Sequence, residues 1–475
     1  MSSDNPNPVG PAGGSRVAAV PVAAPASAAP PVPAPSGPPM QKPTTAGNYF
    51  VSNYPPFAFW KPEYVPEYEA ARERPPVPGT PLGLYVHIPF CRKRCHFCYF
   101  KVYTDKDSQE IRGYLDALLR ETELYAARPF VGGRRPRFVY FGGGTPSYLS
   151  EPQLRLLFGG LKRQLSWGEV EEVTFECEPG TLTDHKLAAL RELGVTRLSL
   201  GIEHFDDHIL EINGRAHRSR EIARAYAFAR EIGFPQINID LIAGMVEETD
   251  EKWRMAVGRT LELQPDSVTI YQMEVPYNTT IYQRMKVDGK LVAPVADWET
   301  KRAWVDYAFG ELEKAGYTVA SAYTAVRDKS KTRFVYRDQL WAGADLLSVG
   351  VASFGHLNGT HYQNLHDFEP YVGAVLADRF PVFRALTPKA DERFIREFIL
   401  QLKLGGVSAD YFARKFGQDP RVAFSEPLGR LRDWGFLRED EGGGDRIGIT
   451  REGLLQVDRL LHEFFKPEHR GGRYA

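Results

Sequence analysis

Three of the four cysteines fall within eight residues, Cys91-Arg92-Lys93-Arg94-Cys95-His96-Phe97-Cys98. Thiolates separated by three and then two residues can close around one metal group from a single tight loop. They satisfy three corners of an iron–sulfur cube and leave the fourth iron without a protein ligand. An iron left open can chelate a small molecule, by the logic of an open catalytic zinc site. Zinc is the alternative reading. A structural zinc wants four ligands, usually as paired CxxC knuckles, and no second pair exists here. His87 or His96 could supply a fourth ligand, so the residues leave zinc open behind the cluster.

More groups that can do chemistry recur downstream. Phe141-Gly142-Gly143-Gly144-Thr145-Pro146 closes an apolar run, and its glycines let the backbone approach a ligand without interference from a Cβ. Glu176, Glu203 and Asp240 each stand near the end of a short β-branched run, and Arg215 lies in Gly214-Arg215-Ala216-His217. Taken singly, each charge reads best as a surface ion pair. Their recurrence at consecutive strand ends favours a shared site. Cys177 follows Glu176, so strand alternation turns it to the opposite face and it reads as a small buried residue. His204 and His217 read as structural.

Such residues need a scaffold that presents strand ends in a row. The strand candidates are Leu84–Ile88, Phe138–Phe141, Glu172–Glu176, Arg197–Leu200, Gln236–Leu241 and Ser267–Gln272. Between them lie amphipathic segments at Ile111–Ala127, Glu151–Gln164, Thr183–Leu193, Ser219–Ile232 and Glu251–Leu263. This alternation predicts an α/β fold of βα units, a partial (β/α)6 barrel spanning 81–385 with its extension; a closed barrel is the alternative. The strand ends are where barrels place chemistry. After Thr280 the pattern is less regular, with a helix at Trp298–Ala315, a run at Tyr317–Ser321 and a Gly-rich stretch from Leu346 to Gly355. Residues 386–475 read as three helices and a ribbon around Gly442–Gly444, a winged-helix-like α+β domain. No strong basic stripe marks a recognition helix there.

Residues 1–45 are rich in Pro, Ala, Ser and Gly and are expected to be a disordered tail. Residues 46–80 are aromatic and Pro-rich and are expected to pack on the barrel; lining a substrate cavity is the alternative. The chain has 475 residues, 43% hydrophobic and 25% charged, with a formal net charge of −1. That composition is ordinary for a globular protein and supplies no global field for nucleic acid or an anionic membrane. Clustered thiols without a disulfide framework suit a reducing compartment. No apolar run is long enough to span a bilayer, and the N-terminus lacks a signal-peptide pattern. A cytoplasmic protein is expected.

The run Leu84-Tyr85-Val86-His87-Ile88-Pro89-Phe90-Cys91, continuing into CxxxCxxC, resembles the radical S-adenosylmethionine (SAM) superfamily. Within it, the chain resembles the oxygen-independent coproporphyrinogen III oxidase family from about Tyr49 to the C-terminus. The resemblance implies a 4Fe-4S cluster on Cys91, Cys95 and Cys98, with SAM at the open iron; whether one or two SAM molecules bind stays open. Phe97 is implied to lie beside the cofactor. Gly142, Gly143, Gly144 and Thr145 match the segment that holds the SAM amino group. Glu176 matches a SAM contact, and Glu203 stands where the family usually has Gln, able to accept from a ribose hydroxyl. Arg215 matches the arginine on the methionine carboxylate, which suits a guanidinium fork, and Asp240 lies near the ribose. Tyr85 matches a position near the oxidase's second SAM and is the implied catalytic residue.

The implied chemistry is reductive cleavage of SAM to a 5′-deoxyadenosyl radical that abstracts hydrogen from substrate. The nearest family activity is oxidative decarboxylation of coproporphyrinogen III propionates to vinyls in porphyrin synthesis. Alternatives are a two-SAM radical methyltransferase or related tailoring enzyme, and a haem-binding chaperone with little turnover. Asn53-Tyr54-Pro55-Pro56-Phe57 is similar to the oxidase's N-terminal segment. Against the oxidase, Phe100 stands where it has a further cysteine, and Tyr271–Pro276 departs from its pattern. The implied partners are a small-molecule substrate, a tetrapyrrole or another sp²-carbon compound, and a low-potential electron donor such as flavodoxin. Neither nucleic acid nor membrane is expected as a partner, and a monomer is expected.

Overall fold

The computed structural model describes residues 47–276, 278–283, 295–438 and 444–471. The tail proposed for residues 1–45 and the tip of the C-terminal ribbon lie outside them. Six parallel strands alternate with helices: β1 (Leu82–Ile88), β2 (Phe138–Gly143), β3 (Glu172–Cys177), β4 (Arg197–Glu203), β5 (Gln236–Ala243) and β6 (Ser267–Gln272). Helices Ser108–Ala126, Glu151–Gln164, Asp184–Glu192, Ser219–Glu231 and Asp250–Leu263 supply the crossovers. Several begin where a side chain satisfies a free amide of the first turn. Asp107 accepts from Gln109 and Glu110, Thr183 from Lys186, and Thr249 from Lys252.

The sheet extends at both edges. β7 (Thr318–Val319) and β8 (Thr324–Val326) run antiparallel beside β6. On the other side β9 (Asp345–Val349) pairs parallel with β1, followed by antiparallel β10 (Phe354–Leu357), β11 (Thr360–Asn364) and β12 (Val382–Leu386). The order is β12-β11-β10-β9-β1-β2-β3-β4-β5-β6-β8-β7. The barrel is therefore partial and open. The stretch that reads as a Gly-rich irregular run opens instead as β9, buried at every residue. A short buried strand, Asp345-Leu346-Leu347-Ser348-Val349, was masked by the glycines behind it. Gly350 is needed because its φ is +107° and a Cβ would meet the Tyr114 hydroxyl at 2.6 Å.

Helix Val65–Arg72 covers β11 and β12 and buries Tyr68 and Ala71. At the other end, helices Ala390–Leu402, Ala409–Phe416 and Ser425–Asp433 gather around Phe394, Phe398, Phe412 and Phe424. A ribbon of β13 (Gly406–Ser408) and β14 (Arg446–Gly448) flanks them. Val51 and Tyr54 enter the same core, so the N-terminal segment joins this region to the barrel. No described helix is long and apolar enough to cross a membrane.

Candidate active site

A cavity of about 530 Å³ opens at the carboxyl ends of the strands. Its walls follow the two-residue period of the sheet: Tyr140 on β2, Glu176 on β3, Arg197, Ser199, Gly201 and Glu203 on β4, Asn238, Asp240 and Ile242 on β5. Cys91, Cys95 and Cys98 line it too, as do Phe97, Gly143, Gly144, Thr145, Arg215 and Tyr85. Thus the site residues read from sequence converge on the cavity, save Gly142, which is covered by the cavity-lining side chains of Tyr140 and Glu176. A Cβ there would lie 2.8 Å from the Tyr140 ring and 3.2 Å from the Glu176 carboxyl.

The cysteine loop leaves β1 and is braced by the glycine segment. Gly144 N–H donates to the Ile88 carbonyl and Thr145 N–H to that of Phe90, each at 2.8 Å. Gly143 has φ +114°, and a Cβ would strike the His87 ring at 2.5 Å. The Thr145 hydroxyl donates to Cys91 Sγ at 3.2 Å, and Arg215 Nη1 to Cys95 Sγ at 3.3 Å. Arg215 Nη2 also donates to the Gly201 carbonyl and lies 3.7 Å from Glu203. Its Nε is buried without a partner, a cost of roughly 1–3 kcal/mol that a ligand can relieve. Glu203 sits at a register shift between β4 and β5 with φ +66°. A bulge of this kind re-aims a side chain beside a site, and the left-handed backbone is strain of the sort such sites hold.

Burial dominates the electrostatics. It pushes the thiols of Cys91 and Cys98 up, to about 12 and about 11. The carboxyls of Glu176 and Glu203 rise to about 7 by burial, with mutual repulsion and Asp240 adding to it. Tyr140 donates to Glu176 at 2.5 Å. Asp240 is held by Ser199 at 2.8 Å and Asn238 at 2.9 Å, so its reach to a ligand is set by that network. Behind Arg215, His217 bonds Glu178 at 3.0 Å and Arg92 bonds the same oxygen at 3.1 Å. His204 is fully buried, with Nδ1 accepting from Asp206 N–H at 2.9 Å. Cys177 is in the core, its thiol 3.6 Å from the Phe175 carbonyl.

The donor set suits an iron–sulfur cluster. Buried thiols resist ionisation unless a metal offsets the charge, and Arg215 and Thr145 already point donors at two sulfurs. A single zinc ion needs ligands that converge on one point, and among the described residues no trio of His, Cys, Asp or Glu does so. His96 Nδ1 is 2.8 Å from the Ile212 carbonyl.

Sequence reasoning missed much of the aromatic wall. Tyr99, Phe100, Tyr140, Tyr271, Phe334 and Tyr336 all line the cavity, and so does Phe50, from the N-terminal segment for which lining a cavity is the alternative reading. Tyr140 was within reach, two residues before Gly142 on the same strand face. Phe334 and Tyr336 were not, because they arrive from a distant segment that closes the amino end of the barrel beside Phe138, Glu172 and Arg197. The Tyr336 ring lies 4.4 Å from that of Tyr140 and 6.4 Å from that of Tyr85.

Parallel strands, a three-cysteine loop after the first of them and a polar lumen define a member of the radical SAM superfamily, whose sequence profile matches residues 85–258. The chain is 30% identical over 382 residues to the haem chaperone HemW of Bacillus subtilis, spanning 80% of this chain and 98% of that one. It is 27% identical over 403 residues to the oxygen-independent coproporphyrinogen III oxidase of Escherichia coli, spanning 81% and 85%. The solved structure of the Escherichia coli oxidase, HemN, superposes with a TM-score of 0.75 at 26% identity, covering 88% of this chain and 96% of that one. The chain belongs to the branch of the superfamily that holds these oxidases and HemW. The cofactors of the family are a 4Fe-4S cluster and SAM.

Proposed function

We propose that the chain is a catalytic radical SAM enzyme acting on a flat, unsaturated small molecule, with oxidative decarboxylation of a porphyrinogen propionate as the nearest reaction. The carrying observation is one cavity in which the cysteine loop, a buried arginine and paired carboxyls continue into an aromatic wall. Bound together, the cluster and SAM supply one-electron reduction of a sulfonium and a 5′-deoxyadenosyl radical for hydrogen abstraction. Cys91, Cys95 and Cys98 hold the cluster. Arg215 binds the methionine carboxylate, and its partnerless Nε supports that assignment. The backbone of Gly142–Thr145 faces the amino group, while Glu203 and Asp240 orient the ribose. Glu176, hydrogen-bonded by Tyr140, carries negative charge toward the cationic ligand. Phe97 packs beside it, and Tyr85 abuts the reacting substrate. Phe50, Tyr99 and Tyr271 shield the reacting atoms from water.

One observation favours a reaction other than the oxidase's. Phe100, 48% exposed, lines the cavity where the oxidase carries a cysteine. An exposed ring there offers a stacking surface for an aromatic substrate, which supports a two-SAM methyltransferase or tailoring activity as the second reading. The test is anaerobic incubation with SAM, a low-potential reductant and coproporphyrinogen III, with mass spectrometry of products. Substrate-dependent 5′-deoxyadenosine with loss of carboxyl groups is expected; added methyl groups support the second reading. Haem binding without any SAM cleavage would return the chain to the chaperone class.

A further inference from the structure

A second cavity, about 250 Å³, lies at the other end of the barrel. Arg197, which opens β4, and Phe334 line both cavities and form the partition between them. The cysteine loop follows the carboxyl end of β1, whereas Arg197 stands at the amino end of β4, so the two openings are on opposite ends. The remaining walls are Thr324 and Val326 of β8, Ala320, Leu404 and the segment from Lys329 to Asp338.

The charges there are one-sided. Arg197, Lys329, Arg333 and Arg337 line the space and only Asp338 opposes them. Asp338 is committed to Arg337, whose Nε and Nη2 donate at 2.9 and 2.8 Å, while Arg337 Nη1 is buried without a partner. Arg197 is 1% exposed, bonded to Gln236 and Ser267 at 3.1 Å each, with its guanidinium 4.6 Å over Phe334 and its Nε unpartnered. Glu172 offsets Arg197 electrostatically, but its oxygens accept from the amides of Val335 and Tyr336. Low-dielectric walls of Val326, Leu404 and Phe334 concentrate the positive field of such a recess. Buried guanidinium groups with spare donors suit an oxyanion.

We propose that this recess is an oxyanion-binding site, separate from the SAM cavity, that takes phosphate or a carboxylate. Lys329 and Arg333, both exposed at its rim, capture the anion, and Arg337 and Arg197 form its cationic floor. The site does not depend on which reaction the main cavity performs.

The test is calorimetric titration of the full chain with inorganic phosphate at low ionic strength. Saturable binding is expected, weakened about tenfold or more in K329A/R333A, the loss of a charge-assisted contact. R112A/R259A removes two exposed cations from helix-surface ion pairs elsewhere and should bind phosphate as the parent does. Acetate stands in for a carboxylate arm: competition with phosphate extends the site to carboxylates, and none restricts it to phosphate. Absence of saturable phosphate binding, or equal weakening in the two double variants, overturns the proposal.

Discussion

Replacing Arg215 separates its two tasks. The side chain is only 11% exposed and divides its donors between Cys95 Sγ, the Gly201 carbonyl and the flank of Glu203. If Arg215 holds the methionine carboxylate as proposed, Arg215→Ala removes a charged hydrogen bond, about 1.5–3 kcal/mol, so SAM affinity should fall roughly 10- to 150-fold. Arg215→Lys keeps the charge but not the fork and should fall between. The assay is anaerobic SAM titration of protein reconstituted to matched iron content, since loss of the Cys95 contact could also lower cluster occupancy. If the alanine variant carried full iron and bound SAM as the parent does, Arg215 would have no place at the carboxylate.

Alanine at Cys91, Cys95 or Cys98 should each abolish the cluster, read as iron and labile sulfide per chain, whereas Cys177→Ala should keep it. Stoichiometric zinc in anaerobic parent protein would overturn the assignment. SAM affinity should depend on pH. Glu176 and Glu203 stand near 7 without ligand, and a cationic ligand favours their ionised forms, so binding releases protons. Affinity should be flat above about pH 8 and weaken, by up to about tenfold per pH unit for each group, as pH falls through 7; titrations at pH 8, 7 and 6 check it, and a pH-independent constant would refute it. Gly143→Ala, at φ +114° and against His87, should destabilise by about 1–3 kcal/mol. Gly113→Ala, in a helix with open space at its Cβ, should instead stabilise by about 0.5–1 kcal/mol. Denaturant melts of the two distinguish a local conformational requirement from a general glycine effect.

The parallel strands and their helices were legible because each obeys a local rule: β-branched runs and amphipathic stretches. The cysteine triplet and the strand-end polar residues were legible because they sit at fixed offsets from those runs. What could not be read were arrangements that depend on distant chain. β9 joins β1 across the whole barrel sequence, and its glycine-rich sequel disguised it. Phe334 and Tyr336 cover the amino ends of β2, β3 and β4 from a segment far along the chain. The left-handed backbone and register slip at cavity-lining Glu203 leave no mark in residue type. The charge of the second recess was hidden likewise, since Arg197 lies far in sequence from Lys329, Arg333 and Arg337.

The cysteine loop has no helix or strand of its own, yet its backbone is tied on several sides. Cys91 N–H donates to the Tyr103 carbonyl at 3.0 Å and Tyr103 N–H returns a bond to Pro89 at 2.9 Å. His96 N–H reaches the Asn213 carbonyl at 3.0 Å, and Ile281 N–H reaches that of His96 at 3.1 Å. Arg94 donates to the carbonyls of Cys98 and Asn278, each at 3.1 Å. Each of these contacts is made by protein alone. Small metal domains fold only when the metal arrives, because nothing else offsets the entropy of ordering their ligands. Here a large core and the surrounding backbone already order the loop. Chelated, cluster-free protein should therefore keep its far-ultraviolet circular dichroism and melt cooperatively, losing only the stabilisation that the bound cluster adds by linkage. Cooperative unfolding on removal of iron would show that the loop, and the strands feeding it, depend on the metal after all.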